Sequence, residues 1–309
     1  MPSVPEQEFI WKNGVLVPWA EATTHVLSHS LHYGSGVFEG LRMYKDPDSD
    51  RSMVFRLYDH MVRLHNSAKI AKMDLHYTVD ELVEATLLTC RENGLKSAYI
   101  RPLVYRGYGT MGVDPTGSPT DVIIAAWPWE AYLGDDALAK GIKMGTSSWR
   151  QRSVNAIPPA VKATASYFNS LLAKLEAKEH GYEEAVMLNE AGKVCEGTGE
   201  NLFIVKNGVL KTPPISDGLL EGITRDSIIQ VANDIDVPFE FCSLVRSDLY
   251  TADEVFLSGS AAELTPVAEI DGIKIGNGAR GEITEKLQKQ FFEILWGHVK
   301  AHADWNFDI

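Results

Sequence analysis

Lys162 is the single charge in the stretch SVNAIPPAVKATASYFNSLLA, residues 153–173. An ammonium alone in apolar surroundings is disfavoured as a cation, and burial can lower a lysine pKa by up to about 3–5 units. A lysine of that kind is a neutral nucleophile, able to join an aldehyde as a Schiff base. Tyr167 follows five residues later, Glu196 lies in CEGTGENLF, and GITRD, residues 222–226, opens a helical pattern. An amine, a phenol, a carboxylate and an anion cradle in this order suit pyridoxal phosphate. In GITRD, Gly222 permits close backbone approach, and the amides of Ile223 and Thr224 stand at the positive end of the following helix, where a phosphate binds well. SGSAAE, residues 258–263, is a second turn of small residues with two hydroxyls. Glu196, in a glycine-flanked turn, can face a pyridine nitrogen, and a carboxylate that keeps that nitrogen protonated makes the ring a stronger electron sink. Each signal alone has a blander reading: an N-cap, a solvated glutamate, a lysine stem laid along apolar surface. Their conjunction favours the cofactor.

Two further motifs are set aside. GYGTMG, residues 107–112, satisfies the dinucleotide pattern G-x-G-x-x-G, but VDPTGSPT follows and cannot open the helix that pattern requires. HVLSHSLHYG carries His25, His29 and His32 at spacings of four and three, the basis of a remote metal-hydrolase alternative. No HExxH pattern or carboxylate at ligand spacing accompanies them, so no metal site is expected.

The elements that must position these residues are readable in outline. Asn13-Gly14 between apolar flanks predicts a hairpin, and Lys-Asn-Gly-Val-Leu recurs at residues 206–210, the same turn chemistry used twice. Helices are expected over 58–72, over 78–93 with Thr78 as N-cap and Glu81 at its third position, and over 166–180, 223–235 and 282–301. Strands are expected over 98–107, 121–129, 142–148, 185–188, 201–205, 238–241 and 254–257. The periodic pattern lapses at EAYLGDDALAK, so the chain divides into a smaller N-terminal α/β domain (1–130), an interdomain loop (131–140) and a larger C-terminal cofactor-binding domain (141–309).

Bulk composition agrees with such an enzyme. At 309 residues and 45% hydrophobic content, two ordinary domains are the natural expectation. No apolar run approaches a membrane span and no signal peptide opens the chain, so a cytoplasmic protein without membrane contact is expected. Cys90, Cys195 and Cys242 are odd in number and widely spaced, which argues against a disulfide framework. A formal charge of −13 repels nucleic acid. An anionic substrate must therefore meet a local cation, and Arg42, Arg63 and Arg101 are the candidates.

HYGSGVFEGLR, FRLYDHMVRLHNSAK, AYIRPLVYRG, the stretch around Lys162, EGTGENLF, LLEGITRD and FLSGSAAELTPV together resemble, in order and spacing, the branched-chain amino acid aminotransferases of the class IV pyridoxal-phosphate fold. The resemblance implies an α+β architecture, with a small N-terminal α/β domain and a larger, β-barrel-like C-terminal domain with helices. It implies transamination between leucine, isoleucine or valine and 2-oxoglutarate by a ping-pong mechanism. Lys162 would carry the Schiff base and the proton, Tyr167 would bond the cofactor's phenolic oxygen, and Glu196 would pair with its ring nitrogen. Arg63, the amides of Ile223 and Thr224 and the Ser260 hydroxyl would hold the phosphate, with Leu220 packed on the ring. The substrate pocket maps onto Phe38, Gly40, Tyr99, Arg101, Trp129 and Tyr132, with the amides of Ser260 and Ala261 taking the α-carboxylate. Tyr33 and Val113 would come from the second subunit of a homodimer or a larger assembly. Where a proline is common before the glycine of GITRD, this chain has Glu221. The nearest alternatives keep the cofactor and change the substrate: a D-amino acid or (R)-amine transaminase, or an aminodeoxychorismate lyase. Tyr99 and Arg101 in YIRP, with FEGLR, favour the branched-chain reading.

Overall fold

A computed structural model of the protein describes residues 4–129 and 135–309. The chain opens with strands β1 (Phe9–Lys12) and β2 (Val15–Pro18), joined by Asn13 at φ 48° and Gly14 at φ 98°. Both turn residues lie in the left-handed region that a two-residue hairpin demands, which is why Asn-Gly stands there. The short helix α1 (His29–Tyr33) follows, then strands β3 (Gly36–Phe38), β4 (Leu41–Lys45) and β5 (Ser52–Phe55). Helices α2 (Leu57–Ile70) and α3 (Val79–Glu92) come next; Thr78 closes a capping box with Glu81 at the start of α3, as its spacing predicts. Strands β6 (Ala98–Arg106) and β7 (Thr120–Pro128) complete this run.

The second run begins with helix α4 (Asp135–Lys140), so the expected loop 131–140 is helical in its latter part, and its residues 131–134 fall outside the described residues. Strand β8 (Ile142–Arg150), helix α5 (Ser166–Glu179) and strands β9 (Glu184–Leu188), β10 (Val194–Glu196), β11 (Asn201–Lys206) and β12 (Val209–Thr212) follow. The second Lys-Asn-Gly segment turns between β11 and β12 with Asn207 at φ 52° and Gly208 at φ 75°, matching the first hairpin. Helix α6 (Ile223–Asp234), strand β13 (Phe239–Phe241), helix α7 (Arg246–Tyr250), strands β14 (Glu254–Gly259), β15 (Glu263–Ile270) and β16 (Ile273–Lys274), helix α8 (Glu282–Leu295) and strand β17 (Asn306–Asp308) complete the chain. Helix α8 stops earlier than its apolar pattern suggests, because Gly297 takes φ 70° just beyond its end.

These elements form two compact units. The first comprises Met1–Glu130, Val161–Ala165 and Glu293–Ile309, and the second comprises Ala131–Ala160 and Ser166–Phe292. Two segments beyond residue 141 therefore return to the first unit, which a division at residue 130 alone does not express.

In the first unit the sheet runs β17-β5-β4-β6-β7-β1-β2, with β3 also paired to β6. Side chains alternate across a strand. Ala98, Ile100 and Val104 of β6 and Val122, Ile124 and Ala126 of β7 join Leu57, Met61, Leu64 and Leu82 of the helices in one core. The intervening residues Tyr99, Arg101 and Trp127 must then point to the other face, and this alternation sets chemistry on one side and packing on the other.

In the second unit β8, β9, β10, β11, β14 and β15 pair successively, and β15 pairs back to β8, closing a six-stranded barrel. Ile142, Met144, Val186, Leu188, Val194, Leu202, Ile204, Val255, Leu257 and Val267 fill it. Helix α5 seals one side by packing Ala173 and Ala177 against Ala185 and Met187.

Candidate active site

One group of candidate residues lies in the first unit. Residues 161–165 behave there as an added rung beside β3: Phe38 N–H donates to the Lys162 carbonyl at 3.0 Å, and Thr164 N–H donates to the Gly36 carbonyl at 2.9 Å. Lys162 N–H donates to Ser67 Oγ of α2 at 3.3 Å. The backbone of the lysine is thus fixed from two sides, and its Nζ lies 5.2 Å from the Phe38 ring centroid.

Arg63, on α2, is oriented by a partner that the sequence reading gave no role. Glu39 is fully buried and accepts from Arg63 Nε at 2.7 Å and from Nη2 at 2.8 Å, a bidentate fork. The buried His60 Nδ1–H donates to the same carboxylate at 2.7 Å. Burial alone would raise the pKa of Glu39, but the charges and hydrogen bonds of Arg63 and His60 outweigh it and hold the carboxyl far below its usual range. Burial pushes His60 down, and the positive charges of Arg63 and Lys162 act in the same direction against the pull of Glu39. The Nε–Nη2 edge of Arg63 is thus committed to Glu39, which sets the plane of the guanidinium.

The face opposite the helices carries the candidate substrate wall. Tyr99 packs against both Trp127 and Trp129, with ring centroids 5.3 and 5.0 Å away, and the two indoles also meet edge to face. Arg101 Cζ sits 4.7 Å from the Phe38 ring centroid and 5.2 Å from that of Tyr99, and Arg101 Nη2 donates to the Tyr99 hydroxyl at 3.1 Å. Its Nε is buried without a hydrogen-bond partner. Gly40 is explained by clearance, since a Cβ there would overlap the Tyr99 hydroxyl. Tyr132 lies outside the described residues. Tyr33 and Val113 are exposed at 43% and 86%, so neither is enclosed within its own chain.

His25, His29 and His32 do not gather. His29 is spent on Ser35 Oγ at 2.7 Å and the Gly112 carbonyl at 2.8 Å, His32 Nε2 reaches the Val26 carbonyl at 2.8 Å, and His25 stacks on Tyr108. Among the described residues the group close enough to hold a metal is Asp46, Asp48 and His298, which includes none of the three.

The other group lies in the second unit and centres on Glu196, the last residue of β10. Its Oε2 accepts from the Leu220 amide at 3.1 Å and from Asn201 Nδ2 at 3.3 Å, and its Oε1 accepts from Gln151 Nε2. Asn201 Nδ2 also donates to the Leu220 carbonyl at 2.9 Å, and a Cβ at Gly222 would overlap Asn201 Oδ1. Strand β11 and the turn before α6 are thereby locked at close approach, with Gly222 required by space.

Helix α6 starts at Gly222 with no side-chain cap, so the amides of Ile223 and Thr224 are offered to whatever anion reaches them. Glu221, next to them, is exposed, and its charge acts on Arg225. Ser260 and Ala261 form the turn between β14 and β15, and the nearby Ser258 hydroxyl is buried without a hydrogen-bond partner. Tyr167 is the second residue of α5; Arg152, whose pKa burial lowers against the charges of Glu196 and Tyr167, donates from Nη1 to the Ser166 carbonyl at 2.5 Å, and its buried Nε has no hydrogen-bond partner. An uncapped helix start, a carboxylate that accepts from three amide donors, and buried polar atoms without partners are what an anionic heterocycle would engage, so these residues fit pyridoxal phosphate. Glu39, Gln151, Arg152 and Asn201 escaped sequence reading because each works through another side chain and carries no spacing signal of its own.

Behind Glu196 lies a buried acidic pair. Glu184 and Glu200 are buried, and Lys174 Nζ sits 2.5 Å from Glu184 Oε2. Burial first, and then the charge of Glu184, pushes the Glu200 carboxyl up to about 8. A folded acid that keeps a proton the unfolded chain has lost makes stability fall as pH rises from about 4.5 to about 8, with no further change above. Glu200→Gln removes that dependence: thermal melts of the variant and the parent should coincide near pH 5, with the variant several degrees higher at pH 9. Coincident melts at both pH values would show Glu200 to be ionised in the fold.

The family model for class IV amino-transferases matches residues 36–270. The chain belongs to that family. A branched-chain-amino-acid aminotransferase of Escherichia coli is 49% identical over 300 residues, covering 96% of each chain. The crystal structure of the Escherichia coli branched-chain amino acid aminotransferase superimposes with a TM-score of 0.94 at 48% identity, covering 97% of this chain and 99% of that one. The branched-chain amino acid aminotransferase of Thermobaculum terrenum, solved in its PLP form, gives a TM-score of 0.93 at 36% identity, covering 98% of both.

Proposed function

We propose that the protein is a pyridoxal-phosphate-dependent branched-chain amino acid aminotransferase. It transfers the amino group between leucine, isoleucine or valine and 2-oxoglutarate, giving branched-chain 2-oxo acids and L-glutamate in two half-reactions. The observation that carries this reading is the sheet face on which Arg101 is set among Phe38, Tyr99 and Trp129. An aromatic wall receives apolar side chains, and a half-buried guanidinium within it receives the side-chain carboxylate of glutamate, so one pocket takes both substrates in turn.

Pyridoxal phosphate, when bound, supplies an aldehyde that takes the amino group and a ring that accepts the electron pair left at the substrate's Cα. Lys162 is the residue we assign to hold that aldehyde and then, released, to move the Cα proton with its Nζ. Glu196 keeps the ring nitrogen protonated, Tyr167 bonds the phenolic oxygen, and Leu220 packs on the ring. Arg63, the amides of Ile223 and Thr224 and the Ser260 hydroxyl hold the phosphate. Phe38, Gly40, Tyr99, Trp129 and Tyr132 shape the side-chain pocket, and the amides of Ser260 and Ala261 receive the α-carboxylate.

We read the active form as a homodimer in which a second copy supplies Tyr33 and Val113. Exposed Leu27, Leu31, Tyr33 and Val113 give the first unit an apolar surface suited to such a partner. A monomeric mass under assay conditions would remove this reading. No described helix is long and apolar enough to cross a membrane, the three cysteines are unpaired, and a cytoplasmic site is proposed.

The test is a substrate panel with the cofactor-loaded protein and 2-oxoglutarate. Leucine, isoleucine and valine should turn over well, and D-alanine and (R)-amines poorly. Activity confined to D-alanine or (R)-amines would overturn the assignment.

A further inference from the structure

We infer that Gln151 is a positioning residue for the ring-nitrogen partner, fixing the rotation of the Glu196 carboxylate without neutralising its charge. The inference rests on the reading of Glu196 given above. Gln151 is 5% exposed, and its backbone is fixed at the end of β8, where its N–H donates to the Leu188 carbonyl at 2.8 Å. From there its side-chain Nε2 donates to Glu196 Oε1. Because a carboxylate only accepts, the amide must present its nitrogen to it.

The other oxygen, Oε2, is held by the Leu220 amide and Asn201 Nδ2. Gln151 adds a hydrogen bond at Oε1. With it, both oxygens are tied to strands or turns of the barrel, and the plane of the carboxylate is set before any ligand arrives. These three donors are neutral amides. A lysine or arginine at 151 would form an ion pair and lower the affinity of the carboxylate for a second proton-bearing nitrogen, whereas an aspartate or glutamate would repel it. Arg152, whose Nη1 donates to the Ser166 carbonyl, already interacts with the Glu196 charge, so a second cation at 151 would add to that pull. A neutral donor at 151 is thus the choice that orients the carboxylate and leaves it basic.

The experiment compares the parent protein with Gln151→Leu, Gln151→Glu and, as a control, Glu196→Gln. Each is stripped of cofactor and titrated with pyridoxal phosphate, with the visible spectrum followed against pH and the melting temperature measured without cofactor. Gln151→Leu should weaken cofactor binding about tenfold, as expected for losing one hydrogen bond to a charged group, while the cofactor-free melting temperature stays within a few degrees of the parent. Gln151→Glu should bind nearly as the parent does at low pH, where its carboxyl is protonated and can donate, and progressively worse as pH rises. Parent-like binding by Gln151→Leu alongside weakened binding by Glu196→Gln would overturn this inference and leave the Glu196 reading standing. Unchanged binding and spectrum in Glu196→Gln would overturn the Glu196 reading itself. A cofactor-free melting temperature lowered as much as the loaded one, with no pH-dependent binding in Gln151→Glu, would reduce Gln151 to a structural residue.

Discussion

Lys162→Ala should reduce transamination of leucine by at least about 10³-fold, because both the group that holds the aldehyde and the base that moves the Cα proton are lost. The visible absorption of the cofactor-loaded protein should disappear with it, since no amine remains to conjugate with the aldehyde. The fold should survive. Backbone hydrogen bonds to Ser67 and Phe38 hold residue 162 in place, and alanine retains them. Circular dichroism and a melt should therefore match the parent while the single-turnover rate collapses. Lys162→Arg should not rescue the activity, because a guanidinium stays protonated and cannot act as a nucleophile. A Lys162→Ala protein with parent-like turnover would refute the assignment of the reacting amine.

Arg101→Leu should separate the two substrates. The wall around residue 101 is built from Phe38 and Tyr99, so leucine at that position extends a surface on which leucine, isoleucine and valine already sit. Glutamate and 2-oxoglutarate would then bring a carboxylate into an aromatic enclosure with its cation gone. Leaving one partner of a buried charge pair unpaired costs several kcal/mol. Hence kcat/KM for glutamate should fall by about 10²–10³-fold, and that for leucine by only a fewfold. The half-reactions, measured one substrate at a time, check this directly, and equal losses on both substrates would count against Arg101 as the carboxylate partner. The Tyr99 hydroxyl, which accepts from Arg101 Nη2, loses that donor in the variant, so part of any leucine effect belongs to Tyr99 relaxing into the pocket.

Much of the fold was legible because local chemistry dictates it. Asn13-Gly14 and Asn207-Gly208 form turns since they tolerate positive φ, and Thr78 with Glu81 caps a helix by reciprocal hydrogen bonds. Strands β6 and β7 stand out as apolar, aromatic- and β-branched-rich runs joined by a Gly/Pro-rich loop. Strands β3, β4 and β5 were not foreseen: their residues are buried on both faces, so the period-two signal disappears. The three-residue strand β10 is too short to read by pattern. At the site, Lys162, Glu196 and the start of α6 stood out by type and spacing. Glu39 and Gln151 did not, because a side chain that acts by holding another is defined only when strands distant in sequence are brought into register. The return of residues 161–165 to the first unit is equally invisible in a linear reading, for it depends on three backbone hydrogen bonds to residues far upstream.

The closed ring of six strands has a consequence for how this scaffold tolerates change. A hoop has no loose end, so slipping one stave by a residue would require every other stave to shift as well. The perch of Glu196 on β10, gripped by β9 on one side and β11 on the other, is therefore guarded collectively. Substitutions in the turns that cap the hoop can retune what is bound while the anion at its rim keeps its place.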